Sequence, residues 1–519
     1  MTMKLKDRVT LAGRNMLGLL DADNDFMPTG GYEVAHDLGR FWDAILRVEE
    51  SVGFTIPADL EAASLANLRR LTDNPDRLLH NRPEVSYMAP KAKLNTHNFR
   101  ETLLAMGGLI RRRRSHWAAE SAAHLVEVID RVVLPDGRLD LSQMGTWGQL
   151  PGPDTPIVGK AGEWFDTTTT SGRCLEALVW LYEETGDDRV LDLSRRIATH
   201  HLEYTTTDDG SVQPGFIDPK NGGHNHSYHG TLRGLLLYGL LTGQKEYVDR
   251  VEATYRRGVR LQIVKESGWT PHDLGKTRFP NDFGDPVSDP ASTGDSAQIA
   301  LWLALDAGCG DLLDDVERYV RSRLAPSQLT QVDADAHPDI EVTERDIGTW
   351  GIHLPTHGGK KCTPDVAAAV THTMCDIYNN ICTQSATGRQ VNLHFDYEDA
   401  DITVTSTRTA RGQVAIRLAQ PESVMVRIPG WAPESSLELT VDGKATPIKH
   451  LGQYAWVPGG ALRTGSEMVL TYDLPERVTK EEMPSGRVYT IAWRGDEIVG
   501  IDPQDGPMPF FPALGGDAA

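Results

Sequence analysis

Cysteine is scarce. The 519 residues hold five (Cys174, Cys309, Cys362, Cys375 and Cys382), an odd number with no CxxC pair. That pattern argues against a disulfide framework and leaves reduced thiols as the expectation. Positive charge is also in deficit, with 52 Lys and Arg against 73 Asp and Glu and a formal charge of −21. Nucleic acid and anionic membrane surfaces both demand a basic face, so neither is expected as a partner. The one basic run, Arg111 to Arg114, reads as a solvated helix end. No apolar stretch is long enough to span a bilayer. The opening MTMKLKDRVTLAG lacks the apolar segment of a secretory signal, so a cytoplasmic protein is the expectation.

What the chain does have is a repeat. At intervals of roughly 60 to 70 residues a short polar cluster opens an apolar helix, and a second helix follows. The clusters begin near His36, Asn95, Thr168, His226, Ser292 and Lys361. In SGRCLEALVWLYEETGD, Leu175, Leu178, Val179 and Tyr182 follow the i, i+3, i+4, i+7 spacing of one buried face. Thr168 to Ser171 offer capping oxygens ahead of that helix, and Gly186 suits its end. Its partner, DRVLDLSRRIATHHLEY, places Val190, Leu193 and Ile197 on one face. Six such pairs close into an (α/α)6 toroid, whose inner-helix ends converge with their polar clusters on one concave mouth.

The pattern changes near residue 387. Short runs rich in Val, Ile, Thr and Tyr then alternate with period two, among them DITVTSTRT, QVAIRLA, EMVLTYDLP and RVYTIAWRGDEIVGI. Turn residues separate them, as in an antiparallel β-sandwich. The expected division is a catalytic toroid over residues 1–386 and a β-sandwich over 387–519, with LKDRVTL near the start as a strand that joins the sandwich.

VMVRIPGWA (Val424 to Ala432), LELTVDGK, GQYAWV and TGSEMVLTYDLP together resemble the C-terminal sandwich of glycoside hydrolase family 127, the retaining β-L-arabinofuranosidases and their relatives. KKCTPDVAAAVTHTMCDIYNNI resembles that family's CCPPNVAR helix, and the third helix pair resembles its helix pairs. The resemblance implies a toroid ahead of the sandwich and an activity on sugars. The family uses a cysteine thiolate nucleophile held with zinc by further Cys and Glu ligands, and a Glu as acid/base. Here the family's Cys-Cys pair falls on Lys361 and Cys362, its Glu-x-Cys on Ser292 and Gly294, and its acid/base Glu near Lys276. One cysteine with Lys and Gly neighbours does not furnish the four ligands of a zinc site. A divergent relative without the cysteine–zinc mechanism is therefore expected. No cofactor is implied, and a divalent ion at the His/Asp-rich mouth is left open.

Glycoside cleavage usually needs two carboxyl groups. Glu163 and Asp166, in AGEWFDTTTTSGR, flank Trp164 and Phe165 at the mouth of the third inner helix and form the leading pair. Asp295, at the start of the fifth, is the third catalytic candidate, and Asp282, Asp285 and Asp289 occupy the loop before it. Expected substrate-binding residues are His36 and Asp37 at the first mouth position, Arg173 at the third, His226, Tyr228 and His229 at the fourth, and Trp350 and Lys361 ahead of the sixth. Imidazole both donates and accepts, which suits sugar hydroxyls. His224, His353 and His357 add to the same mouth. Lys361 with Arg40, Arg100 and Arg173 would also suit an anionic sugar such as a uronate.

Three function classes follow. A glycoside hydrolase on a soluble oligosaccharide ranks first. A lyase or sugar isomerase ranks second, with Tyr228 or a histidine abstracting the proton. A sugar-binding protein without catalysis ranks third. The substrate is an oligosaccharide, neutral or anionic, and a homodimer is compatible with the sequence.

Overall fold

The computed structural model describes residues 4–29, 34–80, 96–140, 171–219, 223–275, 277, 280, 283–331, 344–351, 363–504 and 514. Twelve α-helices lie among the described residues: α1 (Leu5–Leu19), α2 (Val34–Val52), α3 (Ala58–Leu71), α4 (Thr96–Arg113), α5 (His116–Val132), α6 (Leu175–Thr185), α7 (Asp188–Thr205), α8 (Asn225–Thr242), α9 (Lys245–Thr254), α10 (Pro290–Asp306), α11 (Leu313–Tyr319) and α12 (Pro364–Asn379). The even-numbered helices pack in sequence, α2 on α4, α4 on α6, α6 on α8, α8 on α10 and α10 on α12, and α12 returns to α2. The ring is closed, and the odd-numbered helices lie outside it.

Composition decides which helix goes where. Nearly every residue of α10 is buried, as expected of a helix surrounded by others. The outer helix α7 buries one stripe that includes Val190, Leu193 and Ile197. Close crossings require small residues: a Cβ on Gly39 of α2 would lie 2.0 Å from the Glu101 carbonyl oxygen of α4. Gly186, at φ 64°, takes the left-handed conformation that ends α6, and its N–H donates to the Tyr182 carbonyl.

Two expectations are corrected here. LKDRVTL is not a strand. It opens α1, which packs on both α12 and α2 and so is the outer partner of the sixth inner helix. Leu5, Val9, Ala12, Met16 and Leu19 recur at helical spacing and are all buried, a period that outweighs the short alternation. Helix α1 thus completes the outer ring. The first C-terminal strand, Cys382–Ser385, also begins ahead of the expected boundary at 387.

The C-terminal strands form three sheets. One has five strands, in the order His450–Leu451, Tyr454–Val457, Val424–Arg427, Gly388–Val391, Cys382–Ser385. The contact between Val424–Arg427 and Gly388–Val391 is parallel, unlike the antiparallel pairing expected throughout. A six-stranded antiparallel sheet packs against it through Val404, Val414, Ile416, Leu439 and Leu470. The last three strands, from Glu476 to Asp502, make a separate antiparallel sheet. Its Tyr489, Ile491 and Trp493 enclose Trp269 of the toroid.

The RIPGWA segment is the joint between the two domains. Arg427 is buried and donates to Glu317 at 2.5 Å, to the Asn392 carbonyl at 2.6 Å and to Asp314. The Gly430 N–H donates to Asp314 at 2.9 Å. Asp314 and Glu317 belong to α11, so this motif ties the sandwich to the outer ring.

Candidate functional site

The starts of the inner helices bring most of the described candidates together. His36 and Arg40 lie on the first turns of α2, His97, Arg100 and Glu101 on α4, Arg173 in the turn before α6, and His224 and His226 at the start of α8. The His36 and His97 rings are 4.3 Å apart. Asp365, at the start of α12, lies 4.0 Å from His36 Nδ1 and 3.8 Å from Arg40. Arg173 donates to Ser227, whose hydroxyl also meets His224 Nδ1 at 2.8 Å. His224 lies 4.7 Å from the ring of His272. Its backbone pairs with that of Asp273 in a two-residue antiparallel ladder that fixes the loop leading to α10.

One turn deeper, charges of alternating sign run around the toroid axis. Arg40 donates to Glu101 at 2.5 Å, and Arg100 to Glu101 at 3.1 Å and Glu176 at 2.7 Å. Arg233 donates through Nε to Glu176 at 2.8 Å and through Nη1 to Asp295 at 2.5 Å and Gln298 at 2.8 Å. All of these side chains are buried. Burial alone would raise Glu176, but Arg233 and Arg100 overcome it and hold the carboxyl down at about 2. Such a network fixes the helices in one arrangement because every deletion strands a charge in low dielectric.

His226 is where this network ends. Its Nδ1 lies 2.6 Å from Asp295 Oδ2. A carboxylate only accepts, so Nδ1 carries the proton and Nε2 presents a lone pair. Nε2 is buried and has no hydrogen-bond partner among the described residues. Burial, then the Arg100, Arg40, Arg173 and Arg233 guanidiniums, hold the ring well below the usual histidine range, so it is neutral at pH 7. Burial raises Asp295 to about 6 against the pull of Arg233. Both Asp295 oxygens are engaged, one by His226 and one by Arg233. The carboxylate therefore orients the imidazole and fixes its tautomer.

The other expected residues fall in different places. His36 and Asp37 are buried at the mouth, with His36 Nδ1 3.3 Å from Asp37 Oδ1. His229 bridges α8 and α10 through Ser296 Oγ at 3.1 Å. Tyr228 is fully buried, edge-on to Phe216, and burial pushes its hydroxyl far above the usual tyrosine range. Its position on α8 turns it into the apolar layer between inner and outer helices, which corrects its assignment to substrate. Trp350 is likewise fully buried, and its indole N–H donates to the Leu324 carbonyl at 2.8 Å. It is a core tryptophan and not a stacking face, the commoner fate of that residue. Asp289 caps α10 through the Ala291 N–H, and Asp285 accepts from Ser485 of the last sheet at 2.7 Å. Glu163, Asp166, Asp282, His353, His357, Lys361 and Cys362 lie outside the described residues. Among the described residues, no group of three or more His, Cys, Asp and Glu side chains is placed to hold a metal ion, and no helix is long and apolar enough to cross a membrane.

Sequence reasoning missed His97, Glu101, Glu176, Arg233 and Asp365. The signal for Glu176 and Arg233 is present in the chain: each is a lone charge inside an apolar helical run, CLEALV and TLRGLLL. Such a charge is buried only when paired.

No protein-family model and no curated protein matches the sequence. Solved structures do match in fold. A GH127 β-L-arabinofuranosidase from Geobacillus stearothermophilus T6 is 14% identical with a TM-score of 0.58, over 94% of this chain and 80% of that one. A second GH127 β-arabinofuranosidase is 13% identical with a TM-score of 0.60, over 94% of this chain and 78% of that one. A glycoside hydrolase is 14% identical with a TM-score of 0.59, over 95% and 80%. The toroid followed by β-sheets is thus an architecture this chain shares with GH127 structures.

Proposed function

We propose that the protein is a carbohydrate-active enzyme, a glycoside hydrolase acting on a soluble oligosaccharide, in which His226 transfers the proton and Asp295 positions it. The observation that carries the reading is the Asp295–His226 pair, 2.6 Å apart, with a neutral ring and an unpartnered Nε2. Fold likeness to proteins named as β-arabinofuranosidases supports a sugar substrate. Fold alone does not fix the reaction.

In this reading His226 Nε2 takes a proton from water, and the water oxygen bonds to the anomeric carbon. The bond from that carbon to the leaving oxygen breaks, and the leaving oxygen takes a proton from a carboxyl group. Glu163 and Asp166 are the residues we assign to that carboxyl chemistry. A second reading keeps His226 as the base and uses Arg173 for the carboxylate of a uronate, since Arg40 and Arg100 are already held by Glu101 and Glu176. His226 removes the carbon-bound proton beside that carboxylate, a double bond forms, and the leaving oxygen departs with that proton.

The test is a screen of chromogenic glycosides and uronate-containing oligosaccharides that follows reducing ends and absorbance near 235 nm. New reducing ends without absorbance are expected. Absorbance would replace hydrolysis by elimination. His226→Gln is expected to lower kcat by about 10²–10⁴-fold, the usual worth of a proton-transfer group. Binding without turnover in every assay would refute catalysis.

A further inference from the structure

The inner helices finish at the other end of the toroid, and there they enclose a cavity of about 330 Å³. That is within the range of small-molecule sites, about 300–1,000 Å³. Its walls come from all six inner helices, among them Arg47 of α2, Arg112 of α4, Trp180 of α6, and His372, Cys375 and Asp376 of α12. Trp302 of α10 completes them, its indole 6.5 Å from that of Trp180 and nearly perpendicular to it.

The charges in this wall are balanced. Arg47 donates to Asp43 at 2.8 Å. Arg112 lies 2.7 Å from Glu50 and 3.5 Å from Asp43. Arg111, at the rim, lies 3.8 Å from both Glu50 and Glu184. Each guanidinium thus already has a carboxylate, so an anionic ligand would meet no surplus positive charge and would face Glu50 and Asp376. The polar groups are nonetheless not all satisfied. His372 Nε2 and Arg112 Nε are buried without a hydrogen-bond partner among the described residues. Unmet buried polar atoms are costly unless a water or ligand meets them.

The lining also mixes functions that one chemical class satisfies together. It offers donors (guanidiniums), acceptors (the Glu50 and Asp376 carboxylates), a group that does both (the Asn379 amide) and the Trp302 indole, while Trp180 carries the Arg47 guanidinium 4.8 Å from its ring centre. A sugar hydroxyl both donates and accepts, and an indole covers the C–H face of a sugar ring. The wall is rigid as well. Asp376 accepts from Trp302 Nε1 at 2.7 Å and from Gln298 Nε2 at 3.2 Å. Gln298 is held in turn by Arg233. A site fixed before binding loses little on ordering.

We propose that this cavity is a second ligand site, which takes a neutral sugar of monosaccharide size and is separate from the mouth. It does not rest on the catalytic reading. The experiment is calorimetric and tryptophan-fluorescence titration of the full chain with galactose, glucose and arabinose, and with glucuronate as the charged counterpart. Two variants locate the signal: Asn379→Trp fills the cavity from its exposed rim, and His226→Gln changes a residue at the mouth that does not line the cavity. Saturable binding of a neutral sugar is expected, weakened tenfold or more in N379W and changed less than twofold in H226Q. Crystals grown with galactose give an independent position. No saturable binding of any neutral sugar, loss in H226Q with retention in N379W, tighter binding of glucuronate, or galactose density only at the mouth would each overturn the proposal.

Discussion

Replacing Arg233 by methionine tests whether the axial charge network sets the pH dependence of stability. Glu176 is held at about 2 against its usual 4.5, which corresponds to about 3 kcal/mol at 1.36 kcal/mol per pH unit. That stabilisation is complete above pH 4.5 and is lost as pH falls toward 2. Asp295 works in the opposite sense. Its carboxyl is raised from 3.8 to about 6, so its contribution, again about 3 kcal/mol, is complete below 3.8 and is lost as pH rises through 6. The network therefore stabilises most near about pH 4, between the loss of the Glu176 contribution below it and the loss of the Asp295 contribution above it. Arg233 bonds both carboxylates. Arg233→Met leaves Glu176 with Arg100 and leaves Asp295 with His226, a neutral ring. The expected loss is about 3–5 kcal/mol at pH 8, the cost of stranding a buried charge. At pH 5 Asp295 takes up a proton and part of that loss is recovered. Urea unfolding followed by tryptophan fluorescence and circular dichroism at the two pH values measures both. A loss under about 1 kcal/mol at pH 8, or an equal loss at both, would refute this account of the network.

Arg427→Met should destabilise by about 3–5 kcal/mol because it strands Glu317 and Asp314 at the domain joint; against the effect of burial, the Arg427 guanidinium holds the Glu317 carboxyl below its usual range, so the deficit should shrink as pH falls below that range in the same unfolding assay. Gly39→Ala should cost about 1–3 kcal/mol, the usual penalty of overpacking, since its Cβ would sit 2.0 Å from the Glu101 carbonyl oxygen; an unchanged thermal midpoint would contradict the close α2–α4 crossing. Turnover should fall below pH 6, where Asp295 protonates and no longer anchors His226 Nδ1, and kcat/KM against pH shows whether an acid limb lies there. Asp295→Asn should lower kcat with little change in KM, because it disturbs the orientation of His226 and leaves the mouth contacts in place.

Most of the architecture was legible because it depends on periodicity. The third and fourth helix pairs carry apolar stripes at 3.6-residue spacing, and the C-terminal strands alternate with period two. The errors arose where two periods compete or where position depends on a neighbour. LKDRVTL alternates for a few residues, yet over Leu5–Leu19 the helical stripe is longer and finds a surface between α12 and α2. Tyr228 and Trp350 carry groups that serve either a core or a substrate, and only their direction on the helix or loop decides which.

The sequence by itself determined the repeat, the change from helices to strands, and the departure from the cysteine–glutamate motif of the family it resembles, because spacing and residue type are local properties. Only the tertiary structure decided that α1 completes the outer ring, that RIPGWA joins the sandwich to α11, and that His226 rests on Asp295 while Asp295 rests on Arg233. Those contacts join residues far apart in the chain: 62 positions separate Arg233 from Asp295, and 110 separate Arg427 from Glu317. No local pattern encodes such pairs. They form because a charge buried on one helix is stable only where another helix delivers its partner.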